Sequence, residues 1–195
     1  MPNWCNNSVT LRHADPREII KAREGFEKGE LLNTFIPCPQ ILRDTMAGSY
    51  PASMVEEKAA LELQEAENIR LHGHKNWYDW CVDHWGTKWD IGDADGITSF
   101  GNNELMVYFD SAWAPPTEAY GRLMDMGFEI EAYYYEPGMA FCGSWINGID
   151  TEYQIPSTSD EAEKVIPHAI DEMFAITESM AEWEDEDENY EASGE

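Results

Sequence analysis

Bases are scarce in this chain. Twelve Lys and Arg stand against 39 Asp and Glu in 195 residues, a formal net charge of −27 with an isoelectric point near 4.2. That deficit excludes a protein that coats nucleic-acid phosphates or lies on an anionic membrane surface, since both need clustered cations. Long apolar runs are missing too, and none approaches the ~20 residues needed to span a bilayer. The opening Met1-Pro2-Asn3-Trp4-Cys5 has neither the basic region nor the apolar stretch of a secretory leader, so the expected location is the host cytoplasm. Cys5, Cys38, Cys81 and Cys142 form no Cys-x-x-Cys pair, and with no leader they read as free thiols. Also missing are Gly-x-Ser-x-Gly, a phosphate loop, a dinucleotide fingerprint and His-Glu-x-x-His. The reading therefore leans away from an enzyme and names no cofactor. With 39 acids a carboxylate pair carries almost no information, so Glu136 or Asp90 as a general base has nothing to support it.

Core-forming residues are plentiful: 43% of the chain is hydrophobic and 12% aromatic, enough for a folded domain. Alternation around Asn7–Leu11 predicts a first strand. Asp15-Pro16-Arg17-Glu18 predicts a capped helix with a reciprocal capping box, and Gly29 its end. Prolines make Phe35-Ile36-Pro37-Cys38-Pro39 extended. A second capping box at Ser53-Met54-Val55-Glu56 opens a helix to about Leu71, and Trp77–Trp85 repeats aromatics at helical spacing. Residues 86–103 read as loop with one short strand near Ile97–Phe100.

Glu104–Ser111 alternates, with Leu105, Val107 and Phe109 inward. Pro115-Pro116 opens a helix whose Ala119, Leu123 and Met126 share a face. Phe128–Tyr135 alternates again, with Phe128, Ile130, Ala132 and Tyr134 inward. Pro137-Gly138 is a turn, and Asn147-Gly148 predicts a tight hairpin between Met139–Ile146 and Ile149–Ile155. Strands in series with short turns and helices on one face make an α+β fold. The division is 1–156 as one domain with a helical, Trp-rich insertion at about 40–100. A C-terminal helix over 157–181 follows, its apolar stripe interrupted at Pro167, then an acidic, frayed tail over 182–195.

Several blocks occur in a distinctive order: Met1-Pro2-Asn3-Trp4-Cys5 with Asn7, Phe35-Ile36-Pro37-Cys38-Pro39, Trp77-Tyr78-Asp79-Trp80-Cys81, Trp85-Gly86-Thr87-Lys88-Trp89-Asp90, Ser111-Ala112-Trp113-Ala114-Pro115-Pro116 and Tyr135-Glu136-Pro137-Gly138. Together they resemble the YubB-type (Api-like) family of phage and plasmid proteins, a ferredoxin-like domain of unknown function, over roughly residues 1–155. The resemblance implies a ferredoxin-like fold and a mobile-element origin, and it brings no catalytic residue.

His72, His74, Cys81 and His84 are chemically suited to zinc, but their spacing fits no standard finger and a capped helix end with core packing is the simpler reading. Asp93, Asp95 and Glu104 match three positions of a calcium loop, while Ile97 and Thr98 fall where an oxygen ligand and a glycine are required. No metal is predicted. Trp77, Trp80, Trp85, Lys88, Trp89, Asp90 and Trp113 offer a ligand pocket with indole faces, weighed against plain packing of a Trp-rich helix, with Lys88 paired to an acid.

Charge carries the remaining signal. Residues 123–195 hold one base, Lys164, against twenty acids. Glu129, Glu131, Asp150 and Glu152 on the strands, with Glu184, Asp185, Glu186, Asp187 and Glu188 in the tail, predict a surface that selects a basic host protein rather than nucleic acid or membrane. By analogy with mobile elements, such a surface would imitate a phosphate array and block a nucleic-acid-binding defence enzyme.

Overall fold

The computed structural model describes residues 3–193, with side chains through Glu186. Six strands form one open antiparallel sheet in the order β2-β3-β1-β4-β5-β6. They are β1 (Trp4–Arg12), β2 (Ile97–Phe100), β3 (Glu104–Ala112), β4 (Glu129–Glu136), β5 (Phe141–Ile146) and β6 (Ile149–Gln154). Central β1 pairs with β3 from Trp4↔Ala112 to Arg12↔Glu104, and with β4 from Asn6↔Tyr135 to Arg12↔Glu129. That register aligns the period-2 pattern across strands, so Val9, Leu11, Leu105, Val107, Phe109, Ile130 and Ala132 are all buried on one face.

Against that face lie α1 (Pro16–Glu27) and α6 (Thr117–Asp125). Asp15 caps α1 by accepting the Arg17 N–H at 2.9 Å, and Pro16 takes the first turn. The capping box expected from Glu18 is replaced: the Asp15 N–H donates to His13 Nδ1 at 3.0 Å. α6 stops at Asp125 before Gly127, which leaves the expected core residue Met126 exposed. Asn147 and Gly148 both take positive φ, 45° and 93°, as the predicted hairpin demands.

Between α1 and β2 lie α2 (Leu31–Phe35), α3 (Gln40–Arg43), α4 (Val55–His72) and α5 (Trp77–Trp85), so the added helices begin at Leu31, ahead of the insertion expected at about 40–100. Phe35, expected in an extended run, instead ends α2. α4 begins without the side-chain cap expected from Ser53. It buries Asn68, whose amide donates to Thr45 Oγ1 at 2.9 Å and to the Lys75 carbonyl at 2.8 Å. Leu31, Leu32, Leu42, Trp80, Cys81, Trp85 and Ile91 join the same apolar cluster as the sheet, so the insertion extends the main core.

The C-terminal segment changes the picture of helices on one face. It forms α7 (Ser159–Val165), α8 (His168–Phe174) and α9 (Ile176–Ser193), packed on the opposite face over β4, β5 and β6. Cys142, Ile155, Ala162, Ile166, Ile170 and Ile176 form its core, flanked by Tyr133, Tyr135 and Tyr153. Pro167 ends α7 and starts α8, and Ala175 at φ 50° separates α8 from α9. The helix α9 runs on to Ser193, through the acid-rich stretch read as a tail from residue 182. Among the described residues no helix is long and apolar enough to cross a membrane.

Candidate functional site

The tryptophan block stands on α5. Asn76 caps it by accepting the Tyr78 and Asp79 N–H groups, and Gly86 ends it at φ 81°. A side chain at Gly86 would meet the Thr117 backbone nitrogen at 3.2 Å, so the glycine lets α5 abut the start of α6. Trp80, Trp85 and Trp145 are buried, and Trp85 Nε1 donates to the Ile36 carbonyl at 3.0 Å. Those indoles are core residues, while Trp77 is half-buried.

Trp4, Trp89 and Trp113 differ: they are 43%, 41% and 41% exposed and lie in one row. Trp4 meets Trp89 with ring centroids 5.7 Å apart, and Trp113 meets Tyr78 at 6.2 Å. Lys88 Nζ lies 3.8 Å from the Trp89 ring centre and 4.4 Å from that of Trp113. The expected ion pair of Lys88 is therefore replaced, among the described residues, by two cation–π contacts. Trp113 sits at φ 71°, an unfavourable conformation for an aromatic residue, held by its N–H bond to the Asn3 carbonyl at 2.9 Å. Trp89 separates two clefts. One of about 420 Å³ is lined by Trp4, Tyr108 and Asp110 among others, and one of about 500 Å³ by Lys75, Trp77, Tyr78 and Lys88.

Asp90 is taken up by backbone donors. Its Oδ1 accepts the Leu32 and Ile91 N–H groups at 2.7 and 2.8 Å, and its Oδ2 accepts the Asn33 N–H at 2.9 Å. It thus caps α2 from the far end of the insertion, and burial raises its pKa despite those three donors. Glu136, buried on β4, likewise accepts the Gly138 and Met139 N–H groups of the following turn.

The metal-type residues do not assemble as spaced in the chain. Asp93 accepts the Asp95 N–H to close a short 3-10 turn, while Glu104 pairs with Arg12 Nε at 2.7 Å. Cys81 points into the core beside Cys38. His74 and His84 come together instead around Asp83, which the spacing argument missed. All four thiols are free and buried. Burial pushes Cys5 up to about 12 and Cys142 to about 11, and raises Cys38 and Cys81 as well, so none is poised as a thiolate nucleophile.

The strand acids form no single patch. Glu129 and Glu131 lie on the face of β4 shared with Tyr133 and Tyr135, whereas Asp150 pairs in register with buried Trp145 on the other face. Glu131 is held by Arg12 at 3.4 Å and by the Tyr133 hydroxyl at 2.9 Å; Asp150 accepts from the Tyr134 hydroxyl at 2.8 Å. Glu152 is exposed two residues along the same edge strand, β6.

The C-terminal layer gathers charge more effectively. Glu184 accepts from Ser159 N and Oγ at 2.8 and 2.6 Å, fastening α9 to the start of α7 and lowering its own pKa. Asp171 accepts from Thr177 N and Oγ1. Outward lie Asp160, Glu161, Glu163, Glu172, Glu178, Glu182 and Glu186, all exposed, and among the described residues none of them pairs with a cation. Asp185 is exposed in the same stretch; the side chains of Asp187 and Glu188 lie outside the described residues. Trp183, 73% exposed in the run Glu182-Trp183-Glu184-Asp185, is the site residue that composition alone passed over. Its signal is a lone indole embedded in acids.

No family model matches the chain. It is 32% identical over 75 residues to the uncharacterized protein YubB of Escherichia coli strain K12, covering 37% of this chain and 52% of the other. The chain thus spans about half the length of the curated relative it matches. Among solved structures, the crystal structure of the protein api92 from Yersinia pseudotuberculosis, of the family DUF1281, aligns at a TM-score of 0.40 with 13% identity. That alignment covers 80% of this chain and 99% of the other.

Proposed function

We propose that this chain is a non-enzymatic accessory protein of the YubB type, of phage or plasmid origin, that binds a basic host protein through its acidic C-terminal layer. The similarity to YubB and the ordered sequence blocks support the family; the strand order β2-β3-β1-β4, with α1 and α6 on one face, supports the ferredoxin-like reading of its centre. The observation that carries the functional reading is Trp183. An indole 73% exposed in an acid-rich stretch has the anatomy of an interface anchor inside an acidic field. The field steers a cationic groove toward the layer, and the indole supplies the apolar contact. A groove built for nucleic-acid phosphates is the matching surface, which makes inhibition of a nucleic-acid-binding defence enzyme the expected outcome.

The test is capture from bacterial lysate on the immobilised chain, with release by rising salt and, separately, by duplex DNA. Exposed charges are screened over ~10 Å at 0.1 M ionic strength, so release should occur at moderate salt. A partner released by DNA and absent when Trp183→Ala is used supports the reading. Capture that ignores salt, DNA and Trp183→Ala overturns it.

A second reading rests on the row of Trp4, Trp89 and Trp113, whose combined exposure provides stacking faces for a small planar ligand. It predicts that Lys88→Ala abolishes ligand binding while truncation of the acidic layer has no effect.

A further inference from the structure

His74 lies in the turn after α4, and Asp83 and His84 lie in the last turn of α5. Asp83 Oδ2 is 3.2 Å from His74 Nε2 and 3.2 Å from His84 Nδ1. The two rings meet edge to face at 5.1 Å, and His84 is stacked on Trp80 at 4.1 Å, which fixes its plane. One nitrogen from each ring and a carboxylate oxygen fall within 4.8 Å of one another.

The outer partners identify what the cluster is arranged for. His74 Nδ1 lies 3.1 Å from the His72 carbonyl, and His84 Nδ1 lies 3.1 Å from the Trp80 carbonyl. A carbonyl only accepts, so His74 holds its proton on Nδ1; His84 Nδ1 stands between the Trp80 carbonyl and Asp83 Oδ2, and would bind a metal in exchange for its bond to Trp80, the ring proton moving to Nε2. Metal-binding histidines are oriented as His74 is, by donating their second N–H to a backbone carbonyl. The consequence for His74 is that its Nε2 presents a bare lone pair to an Asp83 oxygen 3.2 Å away. Two acceptors at that distance repel unless a proton or a metal ion lies between them.

We propose that His74, Asp83 and His84 bind one divalent transition-metal ion of the zinc type. Imidazole nitrogens with one carboxylate suit zinc, and three protein ligands leave a coordination position open. Asp83 also lines a surface cleft of about 450 Å³ with Tyr78, Asp79, Val82 and Glu118. Magnesium and calcium favour all-oxygen ligand sets, so an ion bound through nitrogen is preferred here. Bound metal would staple the turn after α4 to α5, the helix that carries Trp77, Trp80 and Trp85.

The experiment is isothermal titration of the untagged full chain, freed of metal by chelation, with zinc chloride and in parallel with magnesium chloride. One zinc per chain is expected, with no magnesium binding. Asp83→Asn and His74→Gln should each weaken zinc by at least ~10-fold, the scale seen for losing even outer partners of a metal site. His84→Gln preserves bulk against Trp80 and should do the same, while far-UV circular dichroism shows the fold retained in all three. Cobalt substitution should give visible absorption that His74→Gln abolishes. No zinc uptake means that the contact is a protonated His74–Asp83 pair and overturns the proposal. Uptake that survives His74→Gln and His84→Gln overturns it equally.

Discussion

The two faces of the sheet are filled by opposite means. One buries a continuous core of aliphatic, phenylalanine and tryptophan side chains drawn from α1, the insertion and α6. The other is covered by α7 to α9 on a much smaller core of isoleucine, alanine and tyrosine-rim contacts, while their outward side carries carboxylates. A large core can hold a fold against its own charge; a thin one leaves a layer whose attachment responds to charge and protonation. The first face explains why the protein folds, and the second carries the surface proposed for recognition.

The comparison breaks most visibly in the cores. Phe26→Ala removes a wholly buried ring beneath the sheet and should cost about 3–5 kcal/mol of global stability by denaturant melting. Ile170→Ala should cost about 2–3 kcal/mol, but the loss should appear by hydrogen exchange as earlier opening of α7 to α9 while β1 and β3 stay protected. Next in size is Asp90→Ala, which strands the Leu32 and Asn33 N–H groups and should cost about 1–3 kcal/mol, read as a lowered Tm. Lys88→Ala is smaller, about 1 kcal/mol, and should shift tryptophan fluorescence as Trp89 and Trp113 lose their shared cation.

Protonation sharpens the contrast through two carboxylates moved in opposite directions. The Glu184 pKa is lowered by its bonds to Ser159, so its contribution is present above the ordinary glutamate pKa and is lost as pH falls through the lowered value. The Asp90 pKa is raised, chiefly by burial, so its contribution is present below the ordinary aspartate pKa and is lost as pH rises through the raised value. Acidification should therefore loosen the C-terminal layer, seen as increased exchange in α9, and Glu184→Gln should blunt that response.

Much of the architecture was legible because it is local. Period-2 runs gave β3 and β4, Asn147-Gly148 gave the hairpin, and Asp15-Pro16 gave the start of α1. The alternation that places Tyr133 and Tyr135 opposite Ile130 and Ala132 was also visible, but tyrosine suits both solvent and packing, so the second helical layer over them was not. Asp90 reads as a loop acid because its partners at Leu32 and Asn33 are brought near only by folding. His74 and His84 were recognised as metal-type residues, yet the third member, Asp83, was hidden among 39 acids. Composition likewise counted the tail's charge without noticing that Trp183 stands in it.

The most direct measurement compares the affinity of a captured basic partner for three forms of the full chain across a salt series. The forms are the unaltered chain, a Glu161→Gln, Glu163→Gln, Glu178→Gln, Glu182→Gln variant, and Lys88→Ala. The account predicts that the neutralised variant loses at least ~10-fold in affinity and most of its salt dependence, chiefly through slower association, while Lys88→Ala binds as the unaltered chain does. Loss of binding in Lys88→Ala with the neutralised variant unaffected would contradict it and move recognition to the tryptophan row.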